Sequence, residues 1–176
     1  MTEASIDGAH LDSLIKEVKG NGESNMAALT APLIAALYLD TTNHWGKLNG
    51  NRRDEAIRHI KSGIVNQLAF RKSDFSYGQW ITTHSSTWLT AYVVKIFNLA
   101  GTVTKVETNA ICNSVKWLML YKQKPNGSFQ ESNPVSNQEM MGGNKRSSNE
   151  LESTLTAFVL AAILESHSLC IAHVSK

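Results

Sequence analysis

The stretch TWLTAYVVKIFNLA, residues 87–100, is apolar on nearly every side of the helix it would form. An amphipathic surface helix would show a polar face and a half-buried strand would alternate, so this run predicts a helix buried between two layers. A second run, STLTAFVLAAILE at 153–165, has the same character. Together they predict an inner helical layer. Two segments between and before them are amphipathic. Residues 55–70 carry Ile57, Ile60, Ile64 and Leu68 at steps of three and four, and residues 107–122 carry Ile111, Val115 and Leu118. These read as outer helices with one apolar stripe each, and Asp54 and Arg58 are spaced to pair on the outer face of the first.

A repeat ties the layers together. Leu-Thr-Ala occurs at Leu29, Leu89 and Leu155, each time opening an apolar helix-like run, and the later copies also match Val93 with Val159 and Tyr92 with Phe158. The connectors QLAFRKSDFSY (67–77) and QKPNGSF (123–129) each hold a glutamine, turn residues and an aromatic. The predicted unit is a helical hairpin with a structured turn. Repeated hairpins with apolar inner and amphipathic outer helices describe an all-α fold, an α/α toroid, better than a four-helix bundle. Residues 49–53, 101–105 and 132–149 read as loops. The last is long enough to be a candidate for function. No linker divides the chain, so residues 1–176 read as a single domain.

Composition excludes several classes. Lys and Arg number 17 against 15 Asp and Glu, a net charge of +2 without long blocks of one sign, which gives no electrostatic case for nucleic acid. Asn51-Arg52-Arg53 reads as a solvated helix start. No run of consecutive apolar residues approaches the roughly 18 of a membrane span, and MTEASIDGAH lacks the basic and apolar regions of a signal peptide. Cys112 and Cys170 have no metal-ligand spacing and are either one disulfide or two buried thiols. His44, His59 and His84 have no Ser, Cys or Asp arrangement of a nucleophilic site, and His167 and His173, six apart, do not share a helix face, so neither a metal nor a cofactor is expected. Asn126-Gly127-Ser128 matches the glycosylation acceptor pattern but sits in a turn where Gly127 is expected to need an unusual backbone conformation. Its modification stays open.

The strings YLD (38–40), QLAFR (67–71), STWLTAYVVK (86–95), VKWL (115–118), KQKPNGSFQE (122–131), NQEMMGG (137–143) and LTAFVL (155–160) resemble the thioester domain of the complement and α2-macroglobulin family, nearest to its third-component branch. TTNHW and DFSY are similar to the fifth-component branch, whose members lack a thioester. The resemblance runs from about Leu11 to Val174. It implies the first part of an α6/α6 toroid, a role in innate immunity and an endopeptidase-inhibitor-like ancestry.

That family's motif is GCGEQN, in which a cysteine sulfur and a glutamine acyl group form an internal thioester. Here the matching stretch is Gly20-Asn21-Gly22-Glu23-Ser24-Asn25. Asn21 has no thiol and Ser24 has no side-chain carbonyl. The register places Asn137 where hydroxyl-transferring members use a nucleophilic histidine, and an amide is no nucleophile at neutral pH. The resemblance therefore implies a degenerate domain that has lost covalent attachment at Asn21, Ser24 and Asn137 and acts by non-covalent protein binding, with complement components or receptors as partners. It also implies that Cys112 and Cys170 form a disulfide. A disulfide implies an extracellular location, as part of a secreted precursor.

The family's receptor-reading end is acidic, whereas here only Asp40 and Glu165 keep acidic charge near the corresponding segments. Two rival classes remain. One is an α/α-toroid enzyme of the terpenoid cyclase or prenyltransferase kind. It would need clustered aspartates or an Asp, Cys and His zinc set, but Asp7, Asp12, Asp40, Asp54 and Asp74 are isolated in the sequence. The other is a truncated product without independent function, because an incomplete toroid exposes its inner helices.

Overall fold

The computed structural model describes residues 8–16, 20–141 and 148–174. Asp7, Gly142, Gly143 and the His173 side chain lie outside the described residues. The helices are α1 (Gly8–Leu14), α2 (Gly22–Thr42), α3 (Arg52–Leu68), α4 (Thr87–Ala100), α5 (Thr108–Tyr121) and α6 (Ser148–Val174), with short 3-10 turns at Trp45–Lys47 and Gln138–Met141. No strand occurs among the described residues. α2 packs on α3, α4 packs on α5, and α6 lies against both α4 and α5. The architecture is all-α, an arrangement of helical hairpins consistent with an α/α toroid.

α4 has the bounds read from its sequence, starting where Ser86 accepts the Leu89 N–H and ending at Gly101. Not one of its residues is exposed. Leu89, Val93 and Phe97 are completely buried, each contributing about 1.5–3 kcal/mol of apolar transfer. α2 begins at Gly22, well before Leu29, because Asn21 caps it there. α6 extends backward into the stretch read as a loop and forward to Val174.

Burial of α6 departs from the expectation of an all-round buried inner helix. Leu155, Val159, Ala162, Ser166 and Cys170 form the buried stripe, while Leu160, Leu164, Leu169 and Ile171 are exposed, Leu164 to 70%. α4 and α5 make its main helix contacts among the described residues, and the side bearing Leu160 and Leu164 meets solvent. The segment Glu150–Ile171 is also long and apolar enough, by length and composition, to cross a membrane. It is not an uninterrupted apolar run, since it contains Glu150, Glu152 and Glu165, so the sequence expectation about such runs stands beside it. In this fold, however, α6 is a packing helix. Cys170 is joined to Cys112 of α5 with Cα atoms 5.2 Å apart, closing a 58-residue separation, and such a loop is stabilised by about 4 kcal/mol.

Both connectors form the predicted structured turns, with one shift in register. The antiparallel bridges pair Arg71 with Tyr77 and Gln123 with Phe129, so Arg71, and not Gln67, corresponds to Gln123. Gln67 is instead buried in α3, where its Oε1 accepts from Asn25 Nδ2 at 2.8 Å. Each turn is closed by an acid or amide side chain two residues before a serine. Asp74 Oδ1 accepts from the Ser76 N–H at 3.0 Å and Oγ–H at 2.6 Å, and Asn126 Oδ1 accepts from the Ser128 N–H at 3.1 Å and Oγ–H at 2.8 Å. The residue between adopts a left-handed backbone, Phe75 at φ 65° and Gly127 at φ 87°, which bears out the expectation for the glycine. In the second and third Leu-Thr-Ala copies Thr90 Oγ1 accepts the Tyr77 N–H at 3.1 Å and Thr156 Oγ1 accepts the Phe129 N–H at 2.9 Å, whereas Thr30 of the first copy bonds the Tyr92 hydroxyl at 2.7 Å. In those later copies the inner-helix threonine anchors the turn before it.

Candidate functional site

The N-terminus of α2 carries two of the three singled-out positions. Asn21 has an extended backbone, and its Oδ1 accepts from the Glu23 N–H at 3.1 Å, the Ser24 N–H at 3.0 Å and the Ser24 hydroxyl at 2.7 Å. Asparagine is a favoured cap because its oxygen satisfies N–H groups that the first turn leaves without partners. The helix end is wedged against the segment after the first connector. The Gly22 N–H donates to Gln79 O at 2.8 Å, and a Cβ at Gly22 would lie 2.5 Å from the Gly78 carbonyl oxygen. Only glycine fits there.

Asn137, the third position, is brought to the same place by a residue that the sequence reading did not single out. Glu23, 5% exposed, accepts the Ser136 N–H at 3.0 Å and the Asn137 N–H at 2.9 Å. A second carboxylate holds the other end of this segment. Glu131 accepts from Ser86 Oγ at 2.8 Å, Thr87 N at 3.1 Å and Trp88 N at 2.9 Å at the start of α4, and from Asn133 N at 3.0 Å. Residues 131–137 are thus strapped across the N-termini of α4 and α2, where helix dipoles favour carboxylates. Glu23 carried a signal in the sequence, an acid in the first helical turn. Glu131 carried none, because its partners on α4 and at Ser86 are more than forty residues away in the chain.

Ser24 donates its hydroxyl proton to an amide oxygen, which is not a base, so nothing here activates it as a nucleophile. The chain has two cysteines, and Cys112 and Cys170 use both in the disulfide. It therefore offers no thiol.

The acidic residues near the far ends of α2 and α6 are each paired. Asp40 accepts from Arg53 Nε at 2.8 Å and Nη2 at 3.1 Å and from Trp45 Nε1 at 2.8 Å. The Arg53 guanidinium holds the Asp40 carboxyl below its ordinary range. Glu165 pairs with Lys95 of α4. Arg52 binds Asp12 and Glu55, so the Asn51–Arg53 cluster is tied down and is not simply solvated, and Asp54 accepts from Asn51 in place of Arg58. His59 lies 3.5 Å from Glu55, while His84 and His167 are exposed. Among the described residues, no three His, Cys, Asp or Glu side chains are grouped to hold a metal ion.

The family model of the A-macroglobulin TED domain matches residues 2–176. Similar proteins include a venom factor of Crotalus adamanteus, 47% identical over 176 residues and 99% of this chain. Complement C3 of Oncorhynchus mykiss is 45% identical over 97% of the chain, and cobra venom factor of Naja kaouthia is 45% identical over 96%. The chain spans 10% of the length of each of these relatives. With a TED-domain match across nearly all its residues and an all-α hairpin fold to go with it, the chain belongs to the complement and A-macroglobulin TED-domain family.

Proposed function

We infer that this chain is a thioester-less TED domain of a complement-type protein, acting by non-covalent protein binding and not as an enzyme. The observation that carries this reading is the absence of any thiol: an internal thioester needs a cysteine sulfur, and both sulfurs of this chain are held in the α5–α6 disulfide. The hydrogen-bonded pair Asn21 and Ser24 stands where the family's cysteine and glutamine would be, with Asn137 tied beside it through Glu23. The scaffold around these positions remains packed and capped, which supports a retained binding role. The disulfide and the relatedness to complement C3 and venom factors support a secreted, extracellular protein.

Complement components or their receptors are the partner class. The family's acidic mode of receptor recognition is disfavoured, since Arg53 and Lys95 neutralise Asp40 and Glu165. A pull-down of serum complement components on the immobilised chain tests the reading. Captured protein should elute completely in denaturant. Retention of a partner after boiling in detergent would overturn the non-covalent claim, and failure to capture any complement component would overturn the binding claim.

The exposed apolar face of α6 supports a further part of this reading, that residues 1–176 form the first part of a toroid whose next helices cover Leu160 and Leu164. The isolated chain should then self-associate in sedimentation experiments, and a compact monomer at high concentration would contradict it.

A further inference from the structure

We propose that Asn126 is an N-glycosylation site, taking an oligosaccharide from a lipid-pyrophosphate donor. Asn126-Gly127-Ser128 is the only Asn-X-Ser/Thr triplet in the sequence. It lies at the exposed tip of the second connector, with Asn126 and Gly127 both exposed. The two bonds that hold the Asn126 side chain, from the Ser128 N–H at 3.1 Å and the Ser128 hydroxyl at 2.8 Å, both end on Oδ1. The serine thus fixes the amide in one orientation and polarises its carbonyl, while the nitrogen that must react takes part in neither bond. A Cβ at Gly127 would meet nothing within 4 Å, and an open depression of about 490 Å³ bordered by Ser128, Glu152 and Thr156 adjoins the turn. The turn is thus open to solvent around Gly127.

The first connector supplies an internal control on accessibility. Asp74 occupies the position equivalent to Asn126, and there an outer helix is packed against the turn, with Trp117 Nε1 donating to Asp74 Oδ2 at 2.9 Å. Asp74 nevertheless stays exposed. The atom that Trp117 engages there, Asp74 Oδ2, is the counterpart of Asn126 Nδ2, so an outer helix placed in the same way after α6 would leave the residue exposed but reach its reacting nitrogen. The turn's own backbone bonds are local, between Lys124 and Ser128 and between Gly127 and Lys124. In the reaction, Asn126 Nδ2 forms a bond to C1 of the first sugar and loses one proton. The bond from C1 to the pyrophosphate oxygen breaks, and the lipid pyrophosphate departs with the electron pair.

This proposal rests on the secreted reading above, and the test separates the two. The chain is expressed behind a secretory leader in eukaryotic cells, and the secreted protein is digested with peptide N-glycosidase, an amidase that cleaves the glycosylated side-chain amide, in 18O water before peptide mapping. Closure of Cys112–Cys170 is measured in the same sample. The expected result is an 18O-labelled aspartate at position 126 in most molecules and a shift in gel mobility that is lost on amidase treatment. N126D preserves the side-chain oxygen that closes the turn and should be secreted without the shift, and S128T should keep it. Secreted, disulfide-closed protein with unmodified Asn126 would overturn the proposal while leaving the secreted reading intact. A shift that persists in N126D would overturn it as well.

Discussion

The turns at 71–77 and 123–129 have the same backbone, the same side-chain closure and the same threonine anchor, yet one is held from two sides and the other from one. In the first, α4 binds through Thr90, while α5 binds through Trp117 and through Ser114, whose hydroxyl donates to Phe75 O at 2.7 Å. Ser76 is completely buried as a result. In the second, α6 supplies Thr156 and Glu152, and no outer helix plays the part of α5 among the described residues. Inner-helix contacts thus suffice to set the turn, and outer-helix contacts determine how much of it meets solvent. The same asymmetry leaves the far face of α6 bare.

The largest test of this equivalence is removal of the aromatic that each turn buries. Tyr77→Ala and Phe129→Ala should each cost about 3–5 kcal/mol in denaturant unfolding, since both rings are completely buried. A loss below about 1 kcal/mol at either would break the parallel. Next come the threonine anchors. Thr90→Val and Thr156→Val each strand a connector N–H, for about 1–3 kcal/mol, with the larger loss at fully buried Thr90.

A third test separates the turns by charge. Burial pushes the Asp74 carboxyl up, but the bonds from Ser76 and Trp117 outweigh it and hold the group below its ordinary value of 3.8. A depressed folded pKa contributes stability above that value, lost as pH falls through the folded one. The deficit of Asp74→Asn, about 1 kcal/mol at neutral pH for a solvent-screened charged hydrogen bond, should therefore shrink below about pH 4 in melting curves. Replacing Asn126 by alanine should give a deficit that does not change over that range.

Gly127→Ala should cost about 1 kcal/mol through its left-handed backbone alone. Tyr77→Phe should be the smallest change, within about 0.5 kcal/mol, because the buried hydroxyl has no hydrogen-bond partner among the described residues.

Local pattern explains which of these features could be read from the sequence. The period and composition of 87–100 locate α4 to the residue, and the glycine in KPNGSF predicts the left-handed turn. Phe75 hides the same conformation in the first turn, since nothing in its side chain announces a positive φ. Contacts between distant segments were illegible: Glu131 at the start of α4, Glu23 on residues 136–137, and the threonines that receive connector N–H groups. The bare side of α6 escaped for a related reason. Apolarity says that a face is built for burial but not which neighbour covers it. At the α2 terminus, residue identity was informative because thioester chemistry depends on two atoms, a thiol sulfur and an acyl carbon, whose presence is decided by side-chain type.

We infer that this chain can neither form nor release a thioester. Treating the native protein with methylamine, alkylating thiols under denaturing non-reducing conditions and measuring the intact mass tests it directly. The mass should be unchanged by either reagent, with Cys112 and Cys170 still joined. A mass increase from methylamine on the 20–25 segment, accompanied by an alkylated cysteine, would contradict it.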